Sequence, residues 1–194
     1  MKNLITILLI IVCFNCKAQS PVLPLDDMGA YDQTNAYYKD LDNELDDFVG
    51  TWLYTDGDTS LKIILKKEEM HFNGRYYEDL IVGEYQYIED GVEKINTLTD
   101  LNTVQGFEHE INGNNIYKDC IFLPVSDCIE GETRLGVILS DPITNHQAST
   151  LLHKRTVNGQ EALNVFMSFS YSGDVTPKPD PTMPWQKEYL LIKQ

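Results

Sequence analysis

The sequence predicts an all-β fold: an antiparallel meander of about eight to ten strands closed into a barrel, after one short N-terminal helix. Three observations carry this reading. Apolar residues recur with period two through most of the chain beyond Gly50, as in Leu61, Ile63 and Leu65 alternating with Lys62, Ile64 and Lys66. Asp56-Gly57-Asp58, Asp90-Gly91 and Asn158-Gly159 stand between such runs as hairpin turns. No helical period separates the strands, which excludes a parallel βαβ sheet, and closure removes the edges that a meander exposes.

The start of the chain says where it works. Lys2 precedes an apolar run from Leu4 to Phe14 broken only by Thr6, and Cys16-Lys17-Ala18 precedes Gln19. This is the plan of a secretory signal peptide over residues 1–18, too short in its apolar part to anchor a membrane span. Cleavage before Gln19 leaves a periplasmic or secreted protein with no transmembrane segment. The alternative is a lipoprotein tethered through Cys16, although Val12 before Cys13 and Asn15 before Cys16 are not the small residues that such a signal wants.

Residues 19–36 read as a flexible leader, with Pro21, Pro24 and Gly29 and no sustained period. The barrel domain follows over residues 37–194. Tyr38, Leu41, Leu45 and Phe48 recur at helical spacing and predict an amphipathic helix over residues 37–48, capped by Thr34 or Asn35 and ended by Gly50. Strands are predicted over residues 51–55, 60–66, 76–88, 92–98, 116–123, 134–139, 149–156, 163–171 and 189–193. Gly83 suggests a bulge or bend. Residues 99–115, with Asn112-Gly113-Asn114, read as loop. The proline-rich stretch 173–184 is unsuited to a sheet interior.

The chain holds 15 Lys and Arg against 30 Asp and Glu, a formal charge of −15. Both charges of the predicted signal peptide, Lys2 and Lys17, are lysines, so the exported remainder is more acidic still. Such a surface repels nucleic acid and anionic membrane and is most simply a solvated one. Cys120 and Cys128 are the two cysteines outside the leader. In an oxidising compartment that pair predicts a structural disulfide closing a short loop around Pro124.

Phe48-Val49-Gly50-Thr51-Trp52 is the most specific local pattern. A Gly-x-Trp at the first strand after a short helix resembles lipocalin-like barrels. The resemblance implies that Gly50 turns the chain into the barrel floor, that Trp52 plugs that end, and that Lys193 or Lys187 lies over the indole. The exported start, Val82-Gly83-Glu84-Tyr85-Gln86-Tyr87, the Asp90-Gly91 turn and the closing Tyr189-Leu190-Leu191-Ile192-Lys193 resemble a family of secreted Bacteroidota proteins, a domain of unknown function with a lipocalin-like sheet. It implies fold and compartment and carries no activity. The later motifs of true lipocalins are not recognisable.

Signatures of enzymes are absent: no Gly-x-Ser-x-Gly, no His-Glu-x-x-His, no phosphate loop and no zinc spacing. His71, His109, His146 and His153 stand apart in sequence. Asp40, Asp42, Glu44, Asp46 and Asp47 lack the glycine and distant glutamate of a calcium loop and read as a solvated helix face. No cofactor or metal is therefore expected. Tyr76, Tyr85, Tyr87, Phe166 and Phe169 are the candidate ligand-binding residues, since aromatic side chains at period two either line an apolar cavity or fill the core. The expected function is an exported, non-enzymatic, lipocalin-like binder of a small apolar molecule. The alternative is an envelope or extracellular protein-interaction module with a packed barrel, anchored near Met183 and Trp185.

Overall fold

A computed structural model describes residues 21–27, 33–120, 128–171, 177–184 and 186–194. The predicted signal peptide, Cys16, residues 121–127 and Trp185 lie outside these. The described strands are β1 Val22–Pro24, β2 Tyr37–Lys39, β3 Gly50–Asp56, β4 Thr59–Phe72, β5 Tyr77–Glu89, β6 Val92–Asn96, β7 Ile111–Tyr117, β8 Arg134–Asp141, β9 His146–Val157, β10 Gln160–Tyr171 and β11 Glu188–Lys193. Eight of them form a closed antiparallel barrel in the order β5-β4-β3-β11-β10-β9-β8-β7, with β7 returning to β5 through Ile81↔Gly113, Val82↔Asn112 and Gly83↔Ile111.

Hairpin chemistry explains the meander. At Asp90-Gly91 and Asn158-Gly159 both turn residues have positive φ, the twist that suits a two-residue hairpin. The second edge of β5 is divided among three strands. Parallel β2 takes its start through Tyr37↔Tyr77, β7 takes its middle, and β6 takes its end through Glu89↔Val92. Gly83 sits in an unbroken part of the β4–β5 ladder and not at a bulge, and a Cβ there would stand 2.5 Å from the Ile64 carbonyl. The bulge of that hairpin lies between Glu68 and His71 instead.

The N-terminal helix is not formed. Residues 37–39 are strand β2 and Glu44–Phe48 is a 3₁₀ turn. The reason is Asp40, which is buried and accepts the Glu44 and Leu45 amides at 2.9 and 3.0 Å, with Lys67 Nζ at 2.8 Å. Its carboxylate offers the backbone a tight turn that a helix would have to give up. Leu41 is consequently exposed while Leu45 and Phe48 are buried. The sequence reading also erred at residues 111–115, which belong to β7. Asn112-Gly113-Asn114 is a bulge against β8, where Gly113 fits because a Cβ would come within 2.9 Å of Val137 Cα.

Both barrel ends are covered. The Glu44–Phe48 turn touches β4, β5 and β9, which lie on opposite walls, and seats Leu45 and Phe48 inside. Trp52 is fully buried beside it, donating from Nε1 to the Phe48 carbonyl at 2.9 Å. Lys193 Nζ stands 5.3 Å from the Trp52 ring, whereas Lys187 lies over Tyr54 and Tyr189. At the far end Asp141 accepts the Thr182 amide at 2.7 Å and brings Met183 into the core. Cys120 and Cys128 are at disulfide-bonding distance, with Cα atoms 5.7 Å apart.

Two measurements test this architecture. Trp52→Ala should lower stability by about 3–5 kcal/mol, read from the denaturant midpoint, as a truncation of a large core residue does; an unchanged midpoint would contradict the plug. Reduction should raise the intact mass by about two hydrogens as one disulfide opens, and alkylation of both cysteines in unreduced protein would exclude the bridge.

Candidate functional site

The five aromatic candidates do not converge. Tyr85, Tyr87 and Phe169 lie in one continuous packed cluster with Trp52, Leu61, Ile63, Leu135, Val165 and Met167. The Tyr85 hydroxyl donates to the Ser140 carbonyl at 2.8 Å, and burial raises its pKa far enough that it stays neutral. Tyr87 donates to Glu89 at 3.1 Å. Tyr76 is partly buried, edge-on to Tyr38 with ring centres 4.9 Å apart. Phe166 faces away from all of them, because its neighbours Val165 and Met167 point into the core.

Phe166 belongs instead to a groove of about 330 Å³ on the outer face of β7–β10. Strand register builds it. Asn115, Gly136, Leu151 and Phe166 form one outward row across four strands, and Asn112, Ile138, Ser149 and Ser168 form the next. Gly136 leaves the floor low, and Tyr117 lies over it so closely that a Cβ would meet its ring at 2.7 Å. Tyr117 and Phe166 thus rise over strands two apart, roughly 10 Å at ordinary strand spacing, with Leu151 between them. Phe107, at the groove margin, is 51 % exposed, and Tyr117 and Ile138 are 38 % exposed each. Among the described residues none that lines the groove carries a charge, in a chain with 30 acidic residues. This is a surface for neutral, largely apolar chemistry with amide and hydroxyl groups at its edge.

Two polar clusters lie elsewhere. Glu132 Oε2 is 2.9 Å from His153 Nε2 and 3.2 Å from the fully buried Arg134, with Arg155 at 3.5 Å, and it fastens the 128–133 loop to the sheet. Glu84 and His109 are both buried, with Oε1 and Nδ1 2.8 Å apart. Among the described residues no three His, Cys, Asp or Glu side chains gather as metal ligands, and no helix is long and apolar enough to cross a membrane.

Sequence reasoning found Phe166 and missed Tyr117, Gly136, Ile138 and Leu151. Signals for two of these existed: an isolated glycine within a strand marks a close approach, and Leu151-Leu152 breaks alternation where both faces are covered. What it lacked was the register that aligns them. No curated protein and no solved structure matches the chain. A family model does match, across residues 1–194, and on that evidence the protein belongs to a family of unknown function, DUF6705, whose member here is a closed eight-stranded antiparallel barrel.

Proposed function

We propose that this protein is an exported, non-enzymatic binding module that holds a small, neutral, mostly apolar molecule in the outer groove of β7–β10, with the barrel interior serving as scaffold. The observation that carries this reading is the groove itself: about 330 Å³, within the size range of small-molecule sites, aromatic at both walls and free of charge among the described residues. The packed interior argues in the same direction, since Tyr85, Tyr87 and Phe169 are engaged with one another's neighbours and offer no calyx wall. Export is supported by the signal-like leader and by the Cys120–Cys128 pair, whose chemistry suits an oxidising compartment.

A second occupant is favoured by the exposure of Phe107, Tyr117 and Ile138: an aromatic or aliphatic side chain of an envelope or extracellular protein, seated in the same groove. Affinity for a free small molecule separates the two. The neutral fluorophore N-phenyl-1-naphthylamine should brighten on binding, and Phe166→Ala should weaken it about tenfold, the loss of one buried aromatic contact. Tyr85→Phe, an interior change, should bind as the unaltered protein does. Brightening that is insensitive to Phe166→Ala but lost in Tyr85→Phe would move the site to the interior and reject the groove.

A further inference from the structure

We propose that occupation of the groove is coupled to the charge of the half-buried Glu110 carboxyl, which follows directly on the buried Glu84–His109 contact that holds the Phe107 wall in place. The inference rests on the groove reading above and adds its regulation.

Phe107 sits in the 3₁₀ turn Gly106–Glu108, inside the 97–110 segment that crosses the outside of β4 and β5. Carboxylates fasten it on both sides. Before it, the Gly106 amide donates to Glu68 Oε2 at 2.9 Å, while Glu68 Oε1 stands 2.8 Å from His71 Nδ1, and the His71 ring packs edge-on to Phe107 with centres 5.3 Å apart. After it, His109 Nδ1 meets Glu84 Oε1, and the His109 carbonyl accepts the side-chain amide of Asn112 at 2.8 Å. Asn112 itself lines the groove. The Glu110 carbonyl accepts the Ser140 amide at 2.8 Å. Phe107, His109 and Glu110 therefore share one short piece of backbone.

The charges around that piece are unbalanced. Glu84 comes from β5, Asp100 from the Leu98–Asn102 turn and Asp141 from the end of β8, and all three act on Glu110. Glu84 Oε2 is buried with no hydrogen-bond partner among the described residues. On β4, Lys66 is committed to the Leu101 carbonyl and the Asn102 side chain, Lys67 is committed to Asp40 and Asp46, and Glu68, engaged with His71 and the Gly106 amide, lines the same outer hollow as His109. His109 is the cation-forming group in direct contact with Glu84. Burial, then Glu84, Asp100 and Asp141, push the Glu110 carboxyl up to about 7. A carboxyl raised in the folded state contributes stability that is complete below the ordinary carboxylate range and is lost as pH rises through about 7. Ionised Glu110 then repels Glu84, the 97–110 segment loosens, and Phe107 leaves the groove.

The test uses the full chain and N-phenyl-1-naphthylamine, which stays neutral throughout. Its affinity should fall about five- to tenfold between about pH 6 and about pH 8.5, a coupling of ordinary size. Glu110→Gln should bind tightly at both, and amide exchange of residues 97–110, corrected for intrinsic rate, should speed up at the higher pH only when Glu110 is present. Tight binding that ignores pH, or full pH dependence retained in Glu110→Gln, overturns the coupling and leaves the groove standing. No binding at any pH removes the groove reading and this inference with it.

Discussion

The seam between β5 and β7 is the constraint on which this structure depends. A meander becomes a barrel only if its first and last edges find partners, and here the closing ladder is three residue pairs long. So short a seam leaves both ends of β5 with unpaired backbone groups, which are costly to bury and adhesive when exposed. The chain meets this with added strands. β2 covers the start of β5 in parallel, and β6 folds back over its end. Buried carboxylates hold the first of these: Asp79 accepts the Tyr37 hydroxyl at 2.6 Å, the Asp40 amide at 3.0 Å and the Met70 amide at 3.0 Å. Burial, then the bond to Asp79, raises the pKa of Tyr37 and keeps that donor protonated.

The same seam explains the acidic residues that a solvated-surface reading leaves unaccounted for. Glu78, Asp79 and Glu84 are consecutive outposts of β5 and all are buried. Each takes donors from a different covering element: Asn73 and Asn114 for Glu78, β2 and the β4 bulge for Asp79, and His109 for Glu84. Removing one partner from such a set leaves a buried charge without compensation, which costs far more than the pair contributes. The net charge of −15 is thus partly structural. The described lining of the β7–β10 groove carries none of it, and amides, hydroxyls and aromatic rings take its place.

That groove and the barrel interior divide the aromatic residues by strand parity. Val165, Met167 and Phe169 point inward and Phe166 outward, so one residue of register separates core from surface. Glycine does the complementary work. Gly136 lowers the floor under Tyr117, and Gly83 and Gly113 let β5 approach β4 and β7 approach β8 where a Cβ would collide with backbone. The groove is therefore a by-product of how closely the strands are allowed to pack.

The all-β class, eight of the strand positions, the three hairpin turns and the buried place of Trp52 were legible because each rests on local chemistry: period-two alternation, positive-φ turn residues and one large apolar side chain. The helix over residues 37–48 was misread because apolar spacing does not reveal that Asp40 is buried and competes for the backbone. Strand β7 was misread because Asn112-Gly113-Asn114 has turn composition, and only pairing with β5 and β8 makes it a bulge. By itself the sequence determined an acidic, strand-rich chain with a signal-like start and a pair of cysteines. The tertiary structure decided which rows of residues share a face, since Tyr117, Gly136, Leu151 and Phe166 meet through strand register over nearly fifty residues of chain, a distance at which no periodicity carries information.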